Sequence, residues 1–426
     1  MKINETLSVL RPAFSAVLLF IAANAHAVGT GTIADGIGSI DKSGNTTTVN
    51  QTSHKLIVNW DHMNVGNSDT LNFVQPTSNS AVLNRISLAD PTLILGTLNA
   101  SDRVFIVNPN GVLIGNSAKI NVASLIASSL NITDKNFKAD RLKFTGGGKG
   151  DVINAGEINA TESVALIGSK MVVNTGSITS ANGDVVLAAA DNIRLAFNGP
   201  HLQAELSKGS LKALVNNGGL IATQDGNILL TAWARDTLTR SVINNTGVLE
   251  ASSLTARQSN APGNAGDINI QSAGNGEVTI GGAATARGWL YAHGHRGTFD
   301  GAATADVLKA AFTRQAITTD RALLQANTGR ISGGNVDFTR GQTTLGRLIM
   351  NVDSADMTLA GNANLVQVYA ADNLRIHGLN DIRMTHVTSG GNIEVSAANN
   401  LHVEFVEALG DVTLKGANVT RKDTDS

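Results

Sequence analysis

Acid–base cleavage of a polysaccharide needs carboxylates gathered on one surface, and calcium binding needs oxygen ligands gathered the same way. In this chain the residues that could do such work are Asp184, Asp191 and Asp225. Asp184 follows Gly183 and Asn227 follows Gly226 at matching places in two similar segments, while Asp191 aligns with Ala234. Asp in one copy and Asn in the other is what a turn selects, since both side chains accept hydrogen bonds from nearby backbone. No catalytic residue is assigned on this pattern. His293-Gly294-His295, beside Arg296, offers two imidazoles two residues apart, but no carboxylate or third histidine lies nearby in sequence. The pair reads as a solvated loop, not a metal site. Gly146-Gly147-Gly148-Lys149-Gly150 lacks the spaced glycine and the Ser or Thr that a phosphate loop carries after its lysine. It reads as a flexible loop. No cofactor and no metal are expected.

Composition narrows the class further. Lys and Arg number 32 against 34 Asp and Glu, so no basic field exists to hold a nucleic-acid backbone. Without cysteine, disulfides, thiolate zinc sites and cysteine nucleophiles drop out together. A hydrophobic content of 42% with a net charge of −2 argues against disorder. Only 4% of residues are aromatic while 44 are glycine, which suits many short strands and tight turns.

Residues 1–27 read as an export signal. Lys2 and Arg11 flank an apolar run from Ala13 to Ala23, and Ala25-His26-Ala27 supplies a small-x-small cleavage site. Cleavage after Ala27 makes Val28 the mature N-terminus. No later apolar run nears the roughly 20 residues of a bilayer-spanning helix, so no stable membrane insertion is expected. At the other end, Gly410 to Leu414 reads as one more strand before a polar tail. No amphipathic helix closes it, although solenoids need polar capping. The expectation is either a cap made from tail and loops, or a chain that is the N-terminal remnant of a longer one.

Periodicity sets the architecture that must carry these residues. Residues 174–195 align without gaps onto 217–238, with Asn174/Asn217, Gly176/Gly219, Ile178/Ile221, Gly183/Gly226 and Leu187/Leu230 identical. Further copies start at Asn154 and Asn245. A step near 20 residues, with the shift of 43 counted as two steps, is the size of one coil of a β-solenoid. In the Asn-x-Gly element the glycine is expected to take a positive φ at a turn, a region that Asn also tolerates. The following apolar-x-apolar stretch alternates, so every second side chain points inward. Small aliphatic residues fill such an interior, and large aromatics are expected to crowd it. Residues 282–330 break the pattern: Ala302 to Ala326 has helix-forming composition, with apolar spacing at Val307, Leu308, Ala311 and Phe312. An irregular or helical insertion is expected there.

Residues 55–130 are denser in hydrophobics. They contain Asn59-Trp60, Phe73-Val74-Gln75-Pro76, Leu83-Asn84-Arg85-Ile86, Gly96-Thr97-Leu98 and Val104-Phe105-Ile106-Val107. The last is a continuous apolar run, as in a strand buried on both faces. Asn108-Pro109-Asn110-Gly111 then reads as a β-turn, with Pro109 presetting φ, Asn108 bonding the turn backbone, Gly111 leaving with positive φ, and Val112 starting the next strand.

Taken in order, these elements resemble the secretion domain of two-partner-secretion exoproteins, the family of filamentous haemagglutinin and the high-molecular-weight adhesins. The resemblance implies an all-β protein, a right-handed parallel β-helix (β-solenoid) with an N-terminal cap. It also implies export to the periplasm of a Gram-negative bacterium and recognition there by a dedicated outer-membrane transporter. The chain would cross unfolded and fold outside, secreted or held at the cell surface. The family's secretion motif maps onto Asn108, Pro109, Asn110, Gly111 and Val112. The separate Asn-Pro-Asn-Leu motif of the haemagglutinin branch is not present, and Asp90-Pro91-Thr92-Leu93 is only its look-alike. The expected organisation is a signal at 1–27, a secretion domain at 28–200 and a β-helix extension at 201–426. The expected role is that of a non-catalytic adhesin, or a matrix or surface binding protein with a host-surface ligand. A lyase-like, polysaccharide-acting β-helix is the alternative, along with a remnant of an adhesin or toxin-delivery protein.

Overall fold

The computed structural model describes residues 28–77, 79–146, 148–234, 242–252 and 266–422; the signal segment and its Ala27 cleavage position lie outside the described residues. The chain winds into a right-handed parallel β-helix whose coils have three faces. One face stacks Thr92–Ile94, Val112–Ile114, Val152–Asn154, Met171–Asn174, Leu214–Asn217 and Val242–Asn245 in parallel register. The second stacks Thr97–Ala100, Lys119–Val122, Glu157–Ala160, Ser177–Ser180 and Leu220–Thr223. The third stacks Lys55–Trp60, Ala81–Ile86, Arg103–Val107, Ser124–Ser128, Val164–Gly168 and Val185–Ala189. Like meets like along the axis, as in Ile120–Ile158–Ile178–Ile221–Leu249, all buried. Roughly fifteen rungs at ~4.8 Å give a shaft of about 70 Å.

The 43-residue shift is one coil, not two. Asn174 sits directly on Asn217 and Ile178 directly on Ile221. The extra residues leave the shaft as a hairpin, Asn192–Asn198 and His201–Lys208, which pairs antiparallel with Leu142–Thr145. A division of the chain at 200/201 falls at the tip of this hairpin. Together with the short helix α1 (Asp134–Lys138), capped by the Thr133 side chain, this layer covers the third face and forms a second core. Phe137 of α1 packs edge-on against Phe105, with ring centroids 5.3 Å apart. That cover is why Val104 to Val107 is buried on both sides, as its unbroken apolar run predicts.

The Asn-x-Gly glycines are selected by closeness, not by positive φ. Gly176, Gly219 and Gly247, and Gly282 at the equivalent place after Ile280, have no left-handed backbone. A Cβ on each would come within 2.0–2.1 Å of the carbonyl oxygen of the glycine one coil earlier. The asparagines do a different job. Asn154, Asn174, Asn217 and Asn245 are fully buried and form a ladder, each amide donating to the next Oδ1 at 2.8, 2.7 and 2.8 Å. It starts on Ile114 and stops at Ile280, which occupy the neighbouring rungs.

The first coil is closed by antiparallel strands: Gly31–Asp35 runs against Lys55–Trp60, and Gly38–Ser43 against Thr46–Gln51. This cap covers an edge that would otherwise offer unpaired backbone to another chain. At the far end Val412–Lys415 and Asn418–Arg421 lie on Ile393–Ala397 and Asn400–Val403, with Val412 and Val419 exposed.

Residues 282–330 are not helical or irregular. Ala302–Thr318 and Leu323–Phe338 are long strands turning corners of the same shaft. Ala303, Ala305, Leu308, Ala310 and Phe312 alternate inward, so burial overrides the helix propensity of alanine. Large aromatics also enter the interior here: Phe299 packs edge-on against Phe312 and Phe338. Gly297 makes the room, since a Cβ there would lie 2.3 Å from the Phe312 ring.

Candidate functional site

The motif residues Asn108–Val112 occupy a corner between the third and first faces, following Arg103–Val107 and leading into Val112–Ile114. Asn108 is fully buried. Its amide donates to the Asp90 carbonyl at 2.9 Å and the Thr92 hydroxyl at 3.1 Å, and its Oδ1 accepts from the Asn110 backbone N–H at 2.9 Å. Gly111 has φ 115°, the left-handed exit that the turn requires. Pro109 and Asn110 are left half-buried at the rim, with the Asn110 amide donating to the Leu88 carbonyl at 3.2 Å.

Two other segments share this corner. Asp90-Pro91-Thr92-Leu93 forms the rung below: Thr92 stacks on Val112 and its N–H donates to the Gly111 carbonyl at 3.0 Å. The glycine-rich segment forms the rung above. Lys149 and Gly150 donate backbone N–H groups to the Pro109 carbonyl at 2.8 and 3.0 Å, and Val112 N–H donates to Asp151. A Cβ on Gly150 would meet the Asn110 carbonyl at 1.9 Å. The described part of Gly146–Gly150 is therefore a packed member of the corner rather than a free loop. Burial raises the Asp151 carboxyl above the usual range, and Lys170 opposes this. Sequence reasoning set both neighbours aside; one coil of spacing from Val112 back to Thr92 is the signal that could have found the first.

The other motif residues build the shaft around this corner. Trp60 Nε1 donates to Asn84 Oδ1 at 2.9 Å, and Asn84 donates to the Phe105 carbonyl at 3.1 Å. Arg85 reaches outward to Asp134 at 2.7 Å and to the Ile132 carbonyl, holding α1 on the third face. Gln75 Oε1 accepts from Asp102 N–H at 2.9 Å.

The acidic residues are not brought together for chemistry. Asp184 is buried, and its carboxylate accepts from the backbone N–H groups of Asn227 and Leu202, both at 2.7 Å. Asn227 accepts from Asp267 N–H at 3.0 Å, and Asp267 from Trp289 N–H at 2.8 Å. These side chains satisfy the rung-to-rung backbone at one corner. Asp191 sits at the foot of the hairpin, its N–H bonded to the Lys208 carbonyl, and Asp225 N–H is bonded to Ala181. His293 faces outward beside Tyr291, whereas His295 meets the Thr313 hydroxyl at 2.8 Å. Among the described residues no three His, Asp or Glu side chains converge as a metal site. Two open grooves of about 470 Å³ lie along the Asn72, Asn99, Asn121 and Asn159 side chains, with no titratable residue lining them.

Comparison with known proteins places this geometry. The TPS secretion domain family matches residues 23–280. A heme/hemopexin-binding protein of Haemophilus influenzae (strain KW20 / Rd) is 31% identical over 211 residues, covering 47% of this chain and 23% of that protein. A second heme/hemopexin-binding protein from Haemophilus influenzae is 28% identical over 261 residues, covering 55% and 28%. The matches thus span about a quarter of the length of these curated relatives. The crystal structure of the HMW1 secretion domain from Haemophilus influenzae superposes with a TM-score of 0.55 at 22% identity, covering 93% of this chain and 100% of that one.

Proposed function

Since the chain belongs to the TPS secretion domain family, whose members are exoproteins exported across the outer membrane of Gram-negative bacteria with a transporter as second partner, we propose that the Asn108–Val112 corner is read by that transporter. Pro109 and Asn110 form the contact surface, and Asn108 is a positioning residue. The observation that carries this reading is the division of labour within the turn. Asn108 is fully buried and bonded to the rung below, while its two successors stand at the rim. The N-terminal coils then act as the secretion module, closing after the hairpin at Lys208. The remaining coils are a non-catalytic extension serving an adhesin or surface-binding role.

The test compares secretion yield with thermal stability. Asn108→Ala is expected to lower both. Asn110→Ala gives up an exposed 3.2 Å bond and a contact within the turn, so secretion should fall while stability stays within about 0.5–1 kcal/mol of wild type. If secretion merely follows stability across both variants, the turn is structural only and recognition lies elsewhere. A heme or hemopexin ligand, as named for the relatives, is a second reading, favoured by the 31% identity over 211 residues. Titration of the secreted chain with hemin, followed in the Soret band, tests it.

A further inference from the structure

The third face carries a strip of side chains beyond the family-matched segment. Trp289, Tyr291 and His293 point outward, alternating with buried Leu290 and Ala292. On the next rung Val307, Lys309 and Ala311 lie directly on them, followed by Thr328, Arg330 and Ser332, and then by Arg347, Ile349 and Asn351. Gln367 and exposed Tyr369 continue the last two columns. These outward positions contain three cations and no carboxylate.

Several exposed arginines elsewhere on the shaft meet an acidic partner one rung away. Arg375 bonds Glu394 at 3.0 Å and Asp356 at 3.3 Å, Arg383 pairs with Glu404, and Arg321 pairs with Asp300. On the strip two of the three cations lie over rings instead: Lys309 Nζ is 4.7 Å from the Tyr291 centroid, and the Arg330 guanidinium is 5.8 Å from that of Trp289. Among the described residues, none of Lys309, Arg330 and Arg347 has a carboxylate partner. Such positive charge, left uncompensated beside aromatic faces, suits an anionic ligand that also offers a flat apolar face.

The strip's shape selects among anions. Five rungs and three columns make a flat surface of about 20 Å by 13 Å. It is neither a cleft nor a cavity, so it fits an extended chain running along the axis better than a compact molecule. Asn351, Gln367, Thr328 and Ser332 line it with hydrogen-bonding groups suited to hydroxyls. We propose that this strip binds an anionic polysaccharide, its sugar rings lying on Trp289 and Tyr291 and its carboxylate or sulfate groups held by Lys309, Arg330 and Arg347. The proposal does not depend on the transporter reading, because its residues lie outside that corner.

The test is titration calorimetry of the full secreted chain with a dextran sulfate oligosaccharide, with neutral dextran and inorganic polyphosphate in parallel. Dextran sulfate should bind, and neutral dextran and polyphosphate should each bind at least about tenfold more weakly. The triple variant Lys309→Gln, Arg330→Gln, Arg347→Gln and the single variant Tyr291→Ala should each lose about tenfold or more in affinity. Arg383→Gln, which removes a cation already paired, should leave affinity within about twofold. Circular dichroism melts identify any variant that fails to fold, and Trp289→Phe then replaces Tyr291→Ala as the ring test, with loss again expected. No binding of dextran sulfate overturns the proposal. Equal binding of polyphosphate, or full affinity in the folded ring variant, also overturns it, because the strip would then be a plain ion exchanger.

Discussion

Replacing Asn174 by alanine cuts the buried ladder in the middle. Asn174 accepts from the Asn154 amide at 2.8 Å and donates to Asn217 Oδ1 at 2.7 Å, with a further contact to the Leu220 carbonyl at 3.2 Å. In the variant the Asn154 amide keeps only long contacts, 3.3 Å to Gly156 O and 3.4 Å to Ser177 O. Asn217 Oδ1 loses its donor in a fully buried position. A buried orphaned acceptor costs about 1–3 kcal/mol, and each lost neutral bond about 1 kcal/mol, so the total is about 3 kcal/mol. A chemically similar ladder on the outside provides the control. Asn121 donates to Asn99 at 3.0 Å and accepts from Asn159 at 3.3 Å, but in water's reach. Asn121→Ala should therefore change stability by no more than about 0.5 kcal/mol. Urea denaturation followed by tryptophan fluorescence measures both. Equal losses in the two variants, or a loss below about 1 kcal/mol for Asn174→Ala, would refute the claim that burial makes the inner ladder stabilising.

Further expectations rest on other residues. Gly176→Ala forces a Cβ to within 2.0 Å of the Gly156 carbonyl and should destabilise by more than about 2 kcal/mol, by parting two rungs. Gly199→Ala, at φ 63° with open space around it, should cost only about 1–2 kcal/mol; a comparison of melting temperatures decides the order. Asp102 has its carboxyl raised by burial, partly offset by the Ser80 N–H. The folded state then holds a proton more tightly than the unfolded one, so this group's contribution to stability falls as pH rises through the raised value. Asp102→Asn should remove that fall, and its stability relative to wild type should be higher at pH 7 than at pH 4. Urea midpoints that differ equally at the two pH values would contradict this.

How much of the fold could be read from residue order follows from where the information sits. The double burial of Val104 to Val107 and the turn at Asn108–Gly111 were legible, because composition and turn chemistry are local. What a residue meets one coil away was not. The coil from Asn174 to Asn217 was misjudged because a hairpin lengthens it without disturbing the register, and a repeat length cannot distinguish one long coil from two short ones. The Asn-x-Gly glycines looked like turn residues, but their selection comes from the carbonyl of the preceding rung. Ala302 to Ala326 has the composition of a helix, and only the stacked rungs reveal that its alternate residues face the shaft interior. At the candidate site the turn itself was legible. The seating of Gly150 above Asn110 was not, because some forty residues of sequence separate them.

The most direct test of the whole account is export in paired cells, with and without a co-expressed outer-membrane transporter of the two-partner pathway. Folded, protease-resistant protein should accumulate in the medium or on the surface only when the transporter is present, and should be degraded in the periplasm otherwise. Equal export without the transporter, or periplasmic retention with it, would contradict the assignment of these coils to a two-partner secretion module.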